Sequence, residues 1–166
     1  MASGFNIEEI FQIAEQIERN GAQYYRIAAD LLKHPVHKQL VLDLAAMEDE
    51  HERTFASMRA QLVKGLQRDT RYEPDDLAAQ YLWAWADKVI FDIEADPFDV
   101  LTADAGAKQI LEVALGREKD SVVYYEGLKA GLNADDDKNK VQAIIEQEML
   151  HIALLGKQLK RLHGER

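Results

Sequence analysis

A short motif that occurs twice, 100 residues apart, constrains the fold of this chain more than any other feature. Glu48 is followed three residues later by His51, and Glu148 is followed three residues later by His151. Side chains three residues apart on an α-helix lie on the same face, one turn apart. The sequence therefore predicts two helices that each direct one carboxylate and one imidazole to the same side.

The two motifs belong to a longer internal repeat. When residues 11–60 are aligned with residues 111–160, nine positions are identical. Drift within an ordinary hydrophobic core would preserve mainly leucine and alanine, whereas several of these pairs are acidic residues, histidines or tyrosines. They are Glu18/Glu118, Tyr24/Tyr124, Tyr25/Tyr125, Glu48/Glu148 and His51/His151. Two helical hairpins related by a pseudo-two-fold axis would bring such pairs around one centre.

Apolar residues recur at intervals of three and four along most of the chain, a spacing typical of amphipathic helices. Turn-forming residues at Pro35 and Gly131 divide this pattern into two helical hairpins, which span about residues 7–68 and 103–162. No segment shows the alternation that is typical of a β-strand. The length of the chain requires only one domain, so we interpret residues 1–166 as a single domain.

The link between the hairpins, about residues 69–102, is long enough to cross the whole length of a bundle. Pro74 can begin a short helix within the link, and this helix would carry Tyr81, Trp83 and Trp85. A long link also allows the two helices that it joins to run parallel. We therefore predict an all-α, ferritin-like four-helix bundle with one long crossover that contains a short helix.

In such a bundle, six side chains that commonly bind metals converge on the core. They are Glu18, Glu48, His51, Glu118, Glu148 and His151. Four buried carboxylates without compensation would each cost several kcal/mol, whereas their negative charges match two divalent cations. The sequence therefore predicts a dimetal site formed by all six residues. A bundle that no longer binds metal is an alternative, and the complete set of six argues against it.

The sequence resembles the rubrerythrin-type, ferritin-like di-iron carboxylate proteins in both hairpins. The segments that carry the resemblance are IERNGAQYY, MEDEH, ALGREKDSVVYYEGL and IIEQEMLH. The resemblance implies two iron ions, with manganese or zinc as alternatives in the same site. It also implies a role for each of the six residues: Glu48 and Glu148 as bridging carboxylates, His51 and His151 as terminal ligands, and Glu18 and Glu118 as the remaining carboxylate ligands.

The chain departs from rubrerythrins in two respects. Rubrerythrins carry a cysteine-rich rubredoxin module, whereas this chain contains no cysteine. Rubrerythrins also carry an additional glutamate one turn after the ligand on the third helix. At that position this chain has Ser121, and the equivalent position in the first hairpin is Gly21. We therefore expect an external electron donor, whose identity the sequence does not indicate.

Two tyrosines are candidates for supporting the metal ligands. Tyr25 and Tyr125 follow Glu18 and Glu118 by seven residues, which is two turns along the same helix face. Their hydroxyl groups can donate hydrogen bonds to ligand carboxylates, and simple packing in the core is the alternative. Glu15 lies one turn before Glu18 and is a candidate for an additional ligand. Its equivalent in the second hairpin is a leucine, so we expect Glu15 at the surface or rim.

The predicted site indicates a non-haem di-iron redox protein. Two ferrous ions held by carboxylates can give up two electrons, so the protein would reduce peroxide or oxygen, or oxidise ferrous iron. The alternative is a non-enzymatic protein that binds or handles iron. Sequence alone does not separate these two functions.

Composition excludes several other classes of function. A net charge of −10 disfavours nucleic acid as a partner, because binding phosphates requires a basic surface. No apolar stretch approaches the ~18 residues of a membrane span, and the first residues do not resemble a signal peptide. Together with the absence of cysteine, this favours the cytoplasm. We also expect a homodimer. The aromatic residues of the crossover most simply dock it on the bundle, and a contact in the dimer is the alternative.

Overall fold

The computed structural model describes residues 7–65, 77–86, 101, 105–132 and 134–164, and nearly all of them are helical. The helices are α1 (Ile7–Leu31), α2 (Pro35–Gly65), α3 (Leu77–Ala86), α4 (Ala107–Gly131) and α5 (Asp135–Gly164). No strand occurs in this part of the chain. The predicted all-α architecture, with a short helix in the crossover, is therefore confirmed.

Local chemistry explains the tight turn between α1 and α2. Pro35 occupies the first position of α2, where its fixed φ suits the helix and its missing N–H would have no partner. The imidazole Nδ1 of His34 accepts a hydrogen bond from the backbone N–H of Val36 at 3.2 Å. His34 thus caps α2 in the way that a serine or aspartate often does.

The turn between α4 and α5 also follows from its residues. Helix α4 ends at Gly131, and Leu132 behind it adopts an extended conformation. Helix α5 begins with the three acidic residues Asp135, Asp136 and Asp137. Their negative charges are favourable at the positive end of the helix dipole. The chain thus turns at Gly131, where the sequence places a turn-forming residue.

Pairs of tyrosines show how the two hairpins are oriented. The Tyr24 hydroxyl donates a hydrogen bond to the backbone carbonyl of Ile110 at 2.7 Å, and the Tyr124 hydroxyl donates to that of Ile10 at 3.0 Å. The start of α1 thus contacts the end of α4, and the end of α1 contacts the start of α4, so these two helices are antiparallel. Each hairpin is antiparallel as well, which makes α2 and α4 parallel. This is the arrangement that a long crossover permits.

The hydrophobic core consists of two clusters, and each contains one half of α1 and the opposite half of α4. One contains the first half of α1, with Ile10 and Phe11, and the second half of α4, with Leu128. The other contains the second half of α1, with Ala28, and the first half of α4, with Ile110. The polar residues at the middle of each helix lie between the two clusters. The fold thus encloses a polar centre between two apolar layers.

The crossover helix α3 is anchored on α4 through Tyr81. The Tyr81 hydroxyl donates a hydrogen bond to the backbone carbonyl of Val123 at 2.8 Å, and Leu82 is buried in the core. The side chains of Trp83 and Trp85 lie outside the described part of the structure, as does Pro74. The aromatic dimer contact therefore stays a prediction. No helix in the described ranges is long and apolar enough to cross a bilayer.

Gly127 of α4 determines how closely α3 can approach. A Cβ atom added at Gly127 would lie 2.5 Å from the Tyr81 ring, whereas Cβ atoms in real proteins stay at least about 3 Å from non-bonded atoms. We predict that Gly127→Ala displaces α3 and destabilises the protein by about 1–3 kcal/mol, as overpacking does. Thermal unfolding measures the effect.

Gly116→Ala is the matched control on the same helix, because nothing lies within 4 Å of the added atom. This change should stabilise the helix by about 1 kcal/mol. Equal effects of the two changes would contradict the assignment.

Candidate metal centre

The six residues predicted as ligands meet in the middle of the bundle. Helix α1 contributes one of them, α4 another, and α2 and α5 two each: Glu18, Glu118, Glu48 with His51, and Glu148 with His151. None of the six is more than 4% exposed. We refer to them as the buried cluster. The structure brings together every residue that the repeat predicted.

The buried cluster divides into two overlapping groups of four. Glu18 and His51 complete one group and Glu118 and His151 the other, while Glu48 and Glu148 belong to both. Within each group, one potential ligand atom per residue lies within 4.8 Å of the others. Two groups of four that share two carboxylates could hold two metal ions side by side.

The shared carboxylates present one oxygen to each histidine. Glu148 Oε1 lies 2.7 Å from Nδ1 of His51, and Glu148 Oε2 lies 3.4 Å from Nδ1 of His151. Glu48 does the same, with Oε2 at 3.5 Å from His51 and Oε1 at 3.4 Å from His151. The Nδ1 atom of each ring therefore faces the centre. The two rings are nearly parallel, with centroids 5.8 Å apart.

Tyr25 and Tyr125 connect the two hairpins at the buried cluster. The Tyr25 hydroxyl donates a hydrogen bond to Glu118, and the Tyr125 hydroxyl donates one to Glu18. Each tyrosine thus supports the carboxylate of the opposite hairpin rather than that of its own helix. Burial first, and then the adjacent carboxylates, raise the pKa of both phenols well above the usual value. Both hydroxyls therefore remain protonated donors.

The two histidines differ in what their outer nitrogen contacts. Nε2 of His51 forms a hydrogen bond with the amide oxygen of Gln147. Nε2 of His151 is buried and has no hydrogen-bond partner among the described residues. The residue equivalent to Gln147 in the first hairpin is Met47, whose thioether is only a weak acceptor. The outer nitrogen is therefore held by a hydrogen bond in His51 alone, whereas His151 is held through Nδ1, which forms a hydrogen bond with Oε2 of Glu118 at 3.2 Å.

Protons neutralise the buried cluster when no metal is bound. Burial, and then the charge of Glu18, raise the pKa of Glu148 to about 8, and burial likewise raises the pKa of Glu18. Burial alone would lower the pKa of His151, but contacts with Glu118, Glu148 and Glu48 raise it to about 12. Contacts with Glu148, Glu18 and Glu48 overcome burial at His51 too and raise its pKa.

Several ligand atoms in the buried cluster lack a hydrogen bond, which is the condition that a metal would satisfy. Both carboxylate oxygens of Glu148 and Nδ1 of His51 are buried without a hydrogen-bond partner in the described residues. Without metal, these two groups form an ion pair at 2.7 Å when the imidazole is protonated. Orphaned buried polar atoms are rare in folded proteins. Oxygen and imidazole ligands in this number suit iron, manganese and zinc.

The prediction that Glu15 lies at the surface or rim is wrong, because Glu15 is buried. It is nevertheless separate from the six cluster residues. Arg59 of α2 binds both of its oxygens, with Nε–Oε1 at 2.6 Å and Nη2–Oε2 at 3.1 Å. This bidentate ion pair between α1 and α2 provides the charge compensation that allows burial. A contact between residues 44 positions apart has no signature in a single sequence.

Two residues near the buried cluster were not identified from the sequence. Gln147 contacts His51, and Arg117 lines a cavity beside Glu118. Both occupy positions where the repeat is broken, since their equivalents are Met47 and Ile17. A search for identical pairs necessarily misses such residues. The signal that could have found them is a polar residue whose equivalent is apolar, close to a ligand.

Comparisons with known proteins support the fold. No protein-family model matches the sequence, and no curated protein matches it. Among solved structures, the chain is similar to a crystal structure of a Thermotoga maritima protein assigned as a ferritin-like diiron-carboxylate protein. The identity is 24%, the TM-score is 0.68, and the similarity covers 96% of this chain and 98% of that protein. The chain therefore has the ferritin-like fold.

The protonation of the buried cluster predicts how the stability of the metal-free protein changes with pH. Glu148 holds its proton more tightly folded than unfolded, so its contribution is complete below the unfolded pKa and is lost as pH rises toward about 8. The histidines act in the same direction above their unfolded pKa.

We therefore expect the melting temperature of chelator-treated protein to fall between pH 5 and pH 8, by about 2–4 °C for each kcal/mol lost. Glu148→Gln, which mimics the protonated carboxyl, should make this dependence shallower. A melting temperature that rises over this range would contradict the assignment of protons. Calorimetry at several pH values is the measurement.

Proposed function

We propose that the chain is a rubrerythrin-type protein that binds two iron ions and uses them to reduce peroxide or oxygen. One observation carries the proposal: six buried residues form two groups that share Glu48 and Glu148, and both carboxylate oxygens of Glu148 are buried without a hydrogen bond. The description of the Thermotoga maritima structure as a diiron-carboxylate protein supports it. So do the four sequence segments that resemble rubrerythrins.

The geometry suggests which residues would hold each ion. Glu18 and His51 would bind one ion, and Glu118 and His151 the other. Glu48 and Glu148 would bridge the ions, because each already presents one oxygen to either histidine. Four carboxylates neutralise two divalent cations, so metal would replace the protons that the buried cluster otherwise holds.

The chemistry requires an oxidant and an external reductant. Two ferrous ions held by these six residues would supply the two electrons that, with two protons, convert one hydrogen peroxide into two water molecules. An external one-electron donor must then restore the ferrous state twice. The protein's own residues fix the ligands, since Tyr25 and Tyr125 hold Glu118 and Glu18 in place. The burial of the site limits access to small molecules.

Metal content tests the site itself. Protein loaded anaerobically with excess ferrous iron should hold two ions per chain. His51→Ala should weaken the binding of one ion and leave the binding of the other unchanged. Glu48→Ala should weaken the binding of both, because a bridging carboxylate contacts both ions. Glu50→Ala is the matched control, since Glu50 is exposed and lies on the same helix. Native iron binding by Glu48→Ala would show that the assignment of bridging residues is wrong.

Turnover separates the redox function from non-enzymatic iron handling. Loaded protein that is supplied with a reductant should consume many equivalents of peroxide or oxygen per chain. Glu48→Ala should abolish this consumption, and Glu50→Ala should leave it unchanged. A single round of oxidation, followed by release of ferric iron and no further consumption, would favour iron handling instead.

The different environments of the two histidines predict two unequal metal positions. Groups that orient a ligand histidine contribute about 10–100-fold to metal affinity. Gln147→Met should therefore lower the affinity for the ion at His51 by that factor and leave the affinity for the other ion unchanged. Met47→Gln should strengthen metal binding at His151, because the repeat places residue 47 relative to His151 as it places Gln147 relative to His51, and Nε2 of His151 has no partner. Calorimetry during a stepwise titration with zinc measures both affinities. Identical two-step binding by the native protein and both variants would contradict the argument.

A further inference from the structure

We propose that a cavity at one end of the bundle binds an amphiphilic organic anion, that is, a molecule with one carboxylate or phosphate group on a small apolar body. The cavity lies where the turn between α1 and α2 meets the start of α4 and the end of α5. Leu31, which lines it, follows Glu18 by 13 residues along α1, and this corresponds to about 20 Å. The site is therefore separate from the buried cluster, and the inference does not depend on the proposed function.

This end cavity has the size and the apolar surface that a small organic molecule requires. Its volume is about 520 Å³, within the ~300–1,000 Å³ that is usual for small-molecule sites. Apolar side chains from three different helices and the first turn form one part of the lining. They are Leu31, Leu32, Val36, Ala107 and Leu162. These side chains would contact the apolar body of the ligand.

Basic side chains distinguish the end cavity from the rest of this acidic protein. The chain has 30 acidic residues against 20 lysines and arginines, yet no acidic residue among the described ones lines the end cavity. Four basic residues line it: Lys33, His34, His37 and Arg161. Lys33 and Arg161 are exposed and form no ion pair with a described residue, so no carboxylate of the protein neutralises their charges there. The lining therefore favours an anionic ligand over a neutral or cationic one.

The start of α4 adds hydrogen-bond donors at the same place. Gly106 and Ala107 line the end cavity, and α4 has neither a side-chain cap at Gly106 nor an acidic residue in its first turn. The first backbone N–H groups of α4 are thus available to an anion, which the helix dipole also favours. The imidazole Nδ1 of His34 accepts the hydrogen bond from Val36, so a neutral ring carries its proton on Nε2 and has a further donor there.

The repeat shows that the fold itself does not require these basic residues. The equivalent positions lie at the turn between α4 and α5 and at the end of α2. Two of the apolar residues are retained there, as the pairs Leu32/Leu132 and Leu162/Leu62. All four basic residues are replaced, as the pairs Lys33/Asn133, His34/Ala134, His37/Asp137 and Arg161/Gln61. Closing the end of a hairpin thus needs the leucines alone, and an anionic ligand accounts for the basic residues.

Competition with a fluorescent probe tests the inference on the full chain. Anilinonaphthalenesulfonate carries one anionic group on an aromatic body, and we expect it to bind saturably, with one molecule per chain. Octanoate and octyl phosphate should displace it, and the tighter of the two identifies the preferred head group. Octanol has the same apolar chain without a charge and should compete at least about tenfold less well, because it gains nothing from two cationic side chains.

Charge-removing variants test the assigned residues. Lys33→Gln and Arg161→Gln should each weaken octanoate binding by about three- to fivefold, and the double variant by about tenfold or more, as expected for partly solvated ion pairs. Lys160→Gln is the matched control, because it removes the same charge from an exposed neighbouring position outside the lining. This change should alter the affinity less than about twofold.

A stabilising variant separates loss of the site from loss of the fold. Gly106→Asp places a carboxylate at the start of α4, where nothing lies within 4 Å of the added Cβ atom. It should cap the helix and not lower the melting temperature, yet it should weaken octanoate binding at least as much as the double variant. Gly106→Asn, which caps without a charge, should weaken it less.

Three results would each overturn the anion site. They are the absence of saturable displacement by octanoate, equal competition by octanol, and native octanoate affinity in both Gly106→Asp and the double variant.

Discussion

The need to compensate four buried carboxylates is the constraint on which the rest of this structure depends. Glu18, Glu48, Glu118 and Glu148 lie between two apolar layers, where an uncompensated charge costs several kcal/mol. Two histidines and the protons of the cluster provide compensation in the chain alone, and two divalent cations would provide it without protons. Metal affinity, stability and pH are therefore coupled through the same six side chains.

Four tyrosines connect the carboxylate cluster to the relative orientation of the two hairpins. Tyr25 and Tyr125 each cross from one hairpin to a carboxylate of the other, and Tyr24 and Tyr124 each cross to a backbone carbonyl. These four reciprocal hydrogen bonds require α1 and α4 to be antiparallel and in one register. The hairpins cannot slide past each other without breaking all of them. Symmetric pairing thus holds the two halves of the site at a fixed separation.

Much of the fold and of the candidate site could be predicted because the sequence repeats itself. The spacing of apolar residues gave the helices, and identical pairs such as His51 and His151 gave the cluster. What could not be predicted lies outside the repeat. Glu15 is buried because Arg59, on another helix, neutralises it. The contact between Gly127 and Tyr81 depends on the path of the crossover, which local patterns do not determine.

Departures from the repeat are as informative as the repeat itself. A symmetric pair of hairpins would give two equivalent metal positions and an apolar interface on either side of the axis. Here Gln147 stands opposite Met47 in the repeat, and Arg117 stands opposite Ile17. One change orients a single histidine, and the other introduces a single positive charge beside the cluster. The symmetric residues therefore form the candidate metal centre, and the asymmetric ones make its two halves unequal.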